Sequence, residues 1–175
     1  ANRKQAIHEC FRQSITNVGR YPYCLSTEVL KSTSDRVLYS LFYATRHPEG
    51  VRVFRDTQIK SLEAQTKVRA SLRQQRLASE QVEMFALHDM TRDETDEFLQ
   101  SEKRQARDKM LELAPRTPMS SRFGDVTSQL MLEYAVRRVD LGRLAAQLRK
   151  DGALQISPWP PRKIVPDDDY RVSRP

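Results

Sequence analysis

Residues 37–56 read VLYSLFYATRHPEGVRVFRD, and the fold turns on how this stretch is placed. In an extended chain Val37, Tyr39, Leu41 and Tyr43 share one face, and Leu38, Ser40, Phe42 and Ala44 share the other. Both faces are largely apolar, so the strand is expected to be covered on both sides, as in a sheet sandwiched by helices. The run stops at Arg46-His47-Pro48-Glu49-Gly50, where the pattern turns helical. Upstream, YPYCLSTEVL (21–30) is a second β-prone run, separated from the first by the polar segment KSTSD (31–35). The pair reads as a β-hairpin. No comparable strand pattern occurs elsewhere before residue 150, and a lone hairpin is marginal in water. Either the surrounding helices cover it, or the chain is the C-terminal end of a larger α/β protein.

The flanks of the hairpin are helical. RKQAIHECFRQSITNVG (3–19) sets Ile7, Cys10, Phe11 and Ile15 on one side of a helix, with Gly19 as its stop. From Pro48 to about Met110 three stretches carry helical periodicity. The first spaces Val53, Phe54, Ile59, Leu62, Val68 and Leu72 among charges, and the second (79–90) carries Val82, Phe85 and Met90. The third opens with a capping-box pattern, Thr91 followed by Glu94. APRTPMSSRFG (114–124), with two prolines in a polar setting, is the clearest boundary.

Beyond that boundary the character changes. Val126, Leu130, Met131 and Tyr134 form one helical face, and Leu141, Leu144, Ala145 and Leu148 another, with Gly152 as a C-cap. ALQI begins a strand, WPPRKIVPDDD (159–169) is a Pro-rich excursion, and YRVSR returns as a strand. Helix, helix, Lys-Asp-Gly turn, strand, basic loop and strand is the order of a winged-helix module. The expected fold class is α+β and mostly helical. A helix plus β-hairpin over 1–49 is read as the end of an α/β, Rossmann-like sheet, followed by a helical connector over 50–114 and a winged-helix-like domain over 115–175.

Composition sets outer bounds. The chain has 175 residues, 30 Lys and Arg against 23 Asp and Glu, and a net charge of +7. Such a balance suits a polyanionic partner only if the positive charge gathers on one face. Cys10 and Cys24 are too few for a disulfide framework, lack metal-ligand spacing, and read as buried, inert thiols. No signal peptide and no bilayer-spanning apolar run is evident, which makes the cytoplasm the default location. The chain opens on Ala1 rather than Met, and is expected to be processed or cut from something longer.

Motifs for chemistry are scarce. His8, His47 and His88 have no ligand spacing, and no glycine-rich phosphate loop, G-x-S-x-G or H-E-x-x-H occurs. No catalytic residue is therefore named. Asp167-Asp168-Asp169 reads as a solvated run or a turn rather than a cation site. Arg46-His47 stands at a strand end, where α/β proteins place ligand contacts. Its simpler role is to end the strand, with Pro48 and Gly50 terminating it and Glu49 opening the next helix. Candidate nucleic-acid contacts are Arg137, Arg138, Arg143, Arg149 and Lys150 on the helices, and Arg162 and Lys163 crowning the wing beside Trp159. Cations there would meet phosphates, and the indole would stack or wedge. Opposing this, winged helices also serve as protein-docking modules, Trp159 can pack on its own core, and the aspartate trio repels phosphate.

Two of these segments, LYSLFYATRHPEGVRVFRD and VDLGRLAAQLRKDGALQISPWPPRKIVPDDD, resemble the C-terminal half of the three-Cys-motif partner proteins. The first is similar to that family's closing strand, the second to its terminal winged-helix-like domain. Together they cover under half the chain. The resemblance implies an upstream methyltransferase-like Rossmann domain that binds S-adenosylmethionine, and a radical-SAM-like three-Cys partner. No SAM-binding turn or acidic ribose ligand precedes the hairpin, so neither cofactor nor catalysis is carried onto these residues. Three functions follow as expectations: a nucleic-acid- or protein-binding C-terminal portion, a subunit of a methyltransferase-like enzyme catalysing elsewhere, or a structural docking subunit.

Overall fold

The uncharged run 37–45 does form a strand. A computed structural model describes residues 3–31, 36–80 and 94–175. In it β1 (Tyr23–Leu30) and β2 (Val37–Thr45) pair antiparallel, with Leu25 opposite Tyr43 and Thr27 opposite Leu41. Helix α1 (Arg3–Asn17) lies on the face of Ser40 and Phe42, through a His8–Ser40 hydrogen bond of 3.0 Å and edge-on contacts of His8 and Phe11 with Phe42. Helix α2 (Pro48–Glu80) takes the opposite face, where Phe54 stacks on Tyr43 at 5.1 Å. The hairpin is thus sandwiched, as its two apolar faces require.

That cover is partial. No residue of α1 is buried, and Leu38, Tyr39 and Leu41 of β2 remain 62%, 53% and 48% exposed. The expected burial of both thiols is also incorrect: Cys10 is exposed and Cys24 only half-buried, because α1 touches the hairpin along a narrow line. The exit from β2 follows the simpler reading. The Thr45 hydroxyl accepts from the His47 amide, Pro48 starts α2, and Arg46 lies over the Tyr21 ring at 4.6 Å.

The buried face of α2 is Val51, Phe54, Arg55, Gln58 and Ile59, a stripe at helical spacing. Val53 and Val68, expected in the stripe, point out at 57% and 53% exposure. The spacing of Val51 to Phe54 and Ile59 competes with theirs, and a polar Arg55–Gln58 pair occupies the middle of the face. Helix α3 (Glu94–Leu113) follows, its Thr95 hydroxyl 2.7 Å from that of Thr66 on α2. The capping box at Thr91 and the apolar residues Val82, Phe85 and Met90 lie outside the described residues.

The C-terminal part comprises β3 (Ser121–Arg122), α4 (Phe123–Glu133), α5 (Arg138–Lys150), β4 (Gln155–Ser157) and β5 (Arg171–Ser173). Its sheet has the order β3-β5-β4, all antiparallel. Helix α3 packs on both α4 and α5, and its Ala106, Met110 and the following Ala114 belong to the same core as Phe123, Leu130, Leu141, Leu148 and Val172. Leu25, Val51 and Phe54 join that core, so one apolar cluster runs from the hairpin to the last strand. Alpha-plus-beta, mostly helical, is the observed class.

Candidate nucleic-acid interface

Helix α5 carries most of the expected cations, so its orientation decides which of them face solvent. Asp140, Leu141, Gly142, Ala145 and Leu148 are buried, which turns Val139, Arg143, Gln147 and Lys150 outward along one stripe. The helix ends as its sequence suggests. Gly152 takes a left-handed φ of +76°, Ala153 and Leu154 amides donate to the Leu148 carbonyl, and Arg149 and Lys150 complement the C-terminal dipole.

Three of the eight expected contacts are consumed inside the fold. Arg137 grips Asp140 through two hydrogen bonds of 2.9 and 3.4 Å. Burial pushes the Asp140 carboxyl up, but Arg137 and the nearby Lys103 more than reverse this and hold it below its ordinary range. Arg138 donates 2.6 Å to Asp168 and 2.9 Å to the Pro166 carbonyl while lying over the Phe123 ring. It fastens the 158–170 loop to the start of α4, whose Phe123 and Gly124 amides donate to the Tyr170 and Asp168 carbonyls. Lys163 pairs with Asp167 and sits 5.4 Å from the Tyr170 ring centre. Side chains with several strong partners are poor donors to a phosphate.

The others remain at the surface. Arg143, Lys150 and Arg162 are exposed, and Arg149 is exposed with its guanidinium 4.5 Å above the half-buried Trp159. Trp159 packs against the core on one side, so its free indole surface is shared with Arg149. Two aspartates of the 167–169 run are tied to Lys163 and Arg138, which leaves Asp169 as the exposed carboxylate of that loop without a cation among the described residues.

Sequence reasoning missed a second set. Arg122 on β3 stands directly opposite Arg171 on β5, which is in turn opposite Ser157 on β4. Both arginines are exposed, and among the described residues no carboxylate pairs with either. Like charges directly opposed across strands repel, so the row is a place where an anion would be welcome. The alternation in Tyr-Arg-Val-Ser-Arg hinted that Arg171 faces outward, but its neighbour on β3 depends on register. No cluster of His, Cys, Asp or Glu able to hold a metal ion occurs among the described residues. No described helix is long and apolar enough to cross a membrane.

No protein-family model, curated protein or solved structure matches the chain.

Proposed function

We propose that residues 94–175 are a winged-helix-like module that binds nucleic acid through the outward stripe of α5 and the arginine row of the small sheet. The element order, helix–strand–helix–helix–strand–loop–strand with sheet order β3-β5-β4, is that of such modules. The observation that carries the reading is the exposed stripe of α5, with Arg143 and Lys150 on a helix whose other face is fully used by the core. Residues 115–175 hold 11 Lys and Arg against 7 Asp and Glu, and the exposed cations are Arg143, Arg149 and Lys150 on α5, Arg162 in the loop, Arg122 and Arg171 on the outer sheet face, and Arg116 in the turn before β3. Phosphate contacts of this kind position a duplex and make affinity depend steeply on salt.

Fluorescence anisotropy with a labelled duplex, run over a salt series, tests this. Affinity should fall steeply with salt, and Arg143→Ala with Lys150→Ala should weaken binding about tenfold and flatten the slope by about two. Arg137→Ala should instead act on stability. Binding indifferent to salt, or none, sinks the proposal.

A protein-docking role is the second reading. It is favoured by Val139 and Ile164, which lie 43% and 79% exposed beside the cations. The wider reading suggested by sequence resemblance places this chain at the C-terminal end of a three-Cys-motif-partner-like protein. Any SAM-binding, methyltransferase-like part and three-Cys partner contacts would then lie with residues beyond these 175.

A further inference from the structure

We propose that the outer edge of β2 is the interface for a second copy of this chain, joined strand to strand across a two-fold axis. Among the described residues the hairpin is a two-stranded sheet. Beta1 is in contact with α4, and its Leu25 is buried in the common core. Among the described residues no strand pairs with the outer side of β2, and none of its nine residues, Val37–Thr45, is charged or proline. Edges left to solvent are ordinarily blunted by charges, proline or bulges. This one carries neither charge nor proline, and its one irregularity is the extra residue Leu38 near its start, where Val29 pairs with Tyr39 but Leu30 with Val37.

An uncharged strand is complementary to itself. Antiparallel overlap of the regular stretch 39–43 centres the two-fold on Leu41, placing Tyr39 opposite the other copy's Tyr43 and Ser40 opposite its Phe42, with no like charges facing. The helices fit the same operation. Alpha1 spans both strands, with Lys4 bridging to Glu28 on β1 and His8 bonding Ser40 on β2. With strands ~4.8 Å apart, a two-fold beside β2 sets the two α1 helices about 10 Å apart, an ordinary packing distance. Ile7 and Phe11 of α1, one turn apart and 57% and 52% exposed, border that seam, and Phe11 already touches Phe42 of β2. On the other face Val53 of α2 is 57% exposed beside Tyr39 and Leu41, along a groove of about 570 Å³ between α2 and the hairpin. Together Ile7, Phe11, Leu38, Tyr39, Leu41 and Val53 offer on the order of 700 Å² per copy, close to the ~800 Å² of a standard interface.

Sedimentation equilibrium of the 175-residue chain at about 50 µM should give twice 20.4 kDa. Leu41→Lys, with its helical circular dichroism retained, should raise the dissociation constant at least about 30-fold, because the ammonium would be buried in the seam. Leu41→Cys in a Cys10→Ser, Cys24→Ser background should crosslink to itself on mild oxidation, since facing strand residues lie within disulfide reach. A monomer at that concentration overturns the proposal and leaves the edge to a strand of other origin. A dimer that survives Leu41→Lys and gives no Leu41→Cys crosslink overturns it equally, by placing the contact elsewhere.

Discussion

Arg55 occupies a position where a hydrophobic residue would be expected, in the middle of the buried face of α2. It is 5% exposed, and its guanidinium donates to the Met131 carbonyl at 2.6 Å, the Leu132 carbonyl at 3.2 Å and Gln58 at 2.7 Å. The last carbonyls of a helix have no partners within it, so Arg55 closes the C-terminus of α4 from another element. Burial pushes the group down to about 10, against the opposing pull of Glu102, and it stays charged at neutral pH. Glu102 completes the clamp by accepting from the Ala135 amide at 2.6 Å in the turn between α4 and α5. Arg55→Met keeps the volume but orphans buried carbonyls, and should cost about 2–4 kcal/mol in urea unfolding. An unchanged midpoint would show that water replaces the guanidinium at no cost. Nothing in VRVFRDTQI marked this arginine as buried, because the carbonyls it caps lie more than 70 residues away.

At the scale of elements, α5 shows how a candidate binding helix is fixed before it can bind. Its N-terminal turn carries Asp140 against Arg137, and a carboxylate there also meets the helix dipole. Since the folded carboxyl titrates below its ordinary 3.8, its stabilisation is present above that pH and is lost as pH falls through the folded value. Asp140→Asn should therefore cost about 1–2 kcal/mol at pH 7, and the gap to the parent chain should close below pH ~4. A gap that stays constant from pH 7 to 3 would assign the loss to packing instead. Gly142 serves the same helix differently. A Cβ there would come within 3.1 Å of Arg138 and 3.3 Å of Val165, so the loop after β4 lies close along α5. Sequence periodicity placed Leu141, Leu144, Ala145 and Leu148 on the inner side of α5, where they pack. It could not separate Arg137 and Arg138 from Arg143, since all three look alike as exposed cations until Asp140 and Asp168 are brought beside the first two.

For the molecule as a whole, the boundary suggested by Ala114–Gly124 is a turn within one core. Met110 and Ala114 on one side pack with Phe123 and Leu130 on the other, and Leu25, Val51 and Phe54 extend the cluster to the hairpin. The Arg55 and Glu102 clamp crosses the same region. Contiguous burial of this kind favours a single cooperative transition. Fluorescence of Trp159, the one tryptophan, and far-ultraviolet circular dichroism should give coincident urea curves, and a separate early loss of helix signal would contradict it.

What the sequence determined by itself was local: the hairpin from two alternating apolar runs, the end of β2 at Pro48, the paired helices after residue 124, and the left-handed cap at Gly152. Those features depend on the spacing and backbone preferences of neighbouring residues, which a linear pattern records. Only the tertiary structure decided that α3 belongs to the C-terminal core and that three of seven candidate cations are committed to carboxylates and carbonyls. It likewise revealed the opposed Arg122 and Arg171 and, among the described residues, the unpaired outer edge of β2. Each of these depends on which distant groups meet, and charge pairing, register and burial have no signature in the spacing of a single chain.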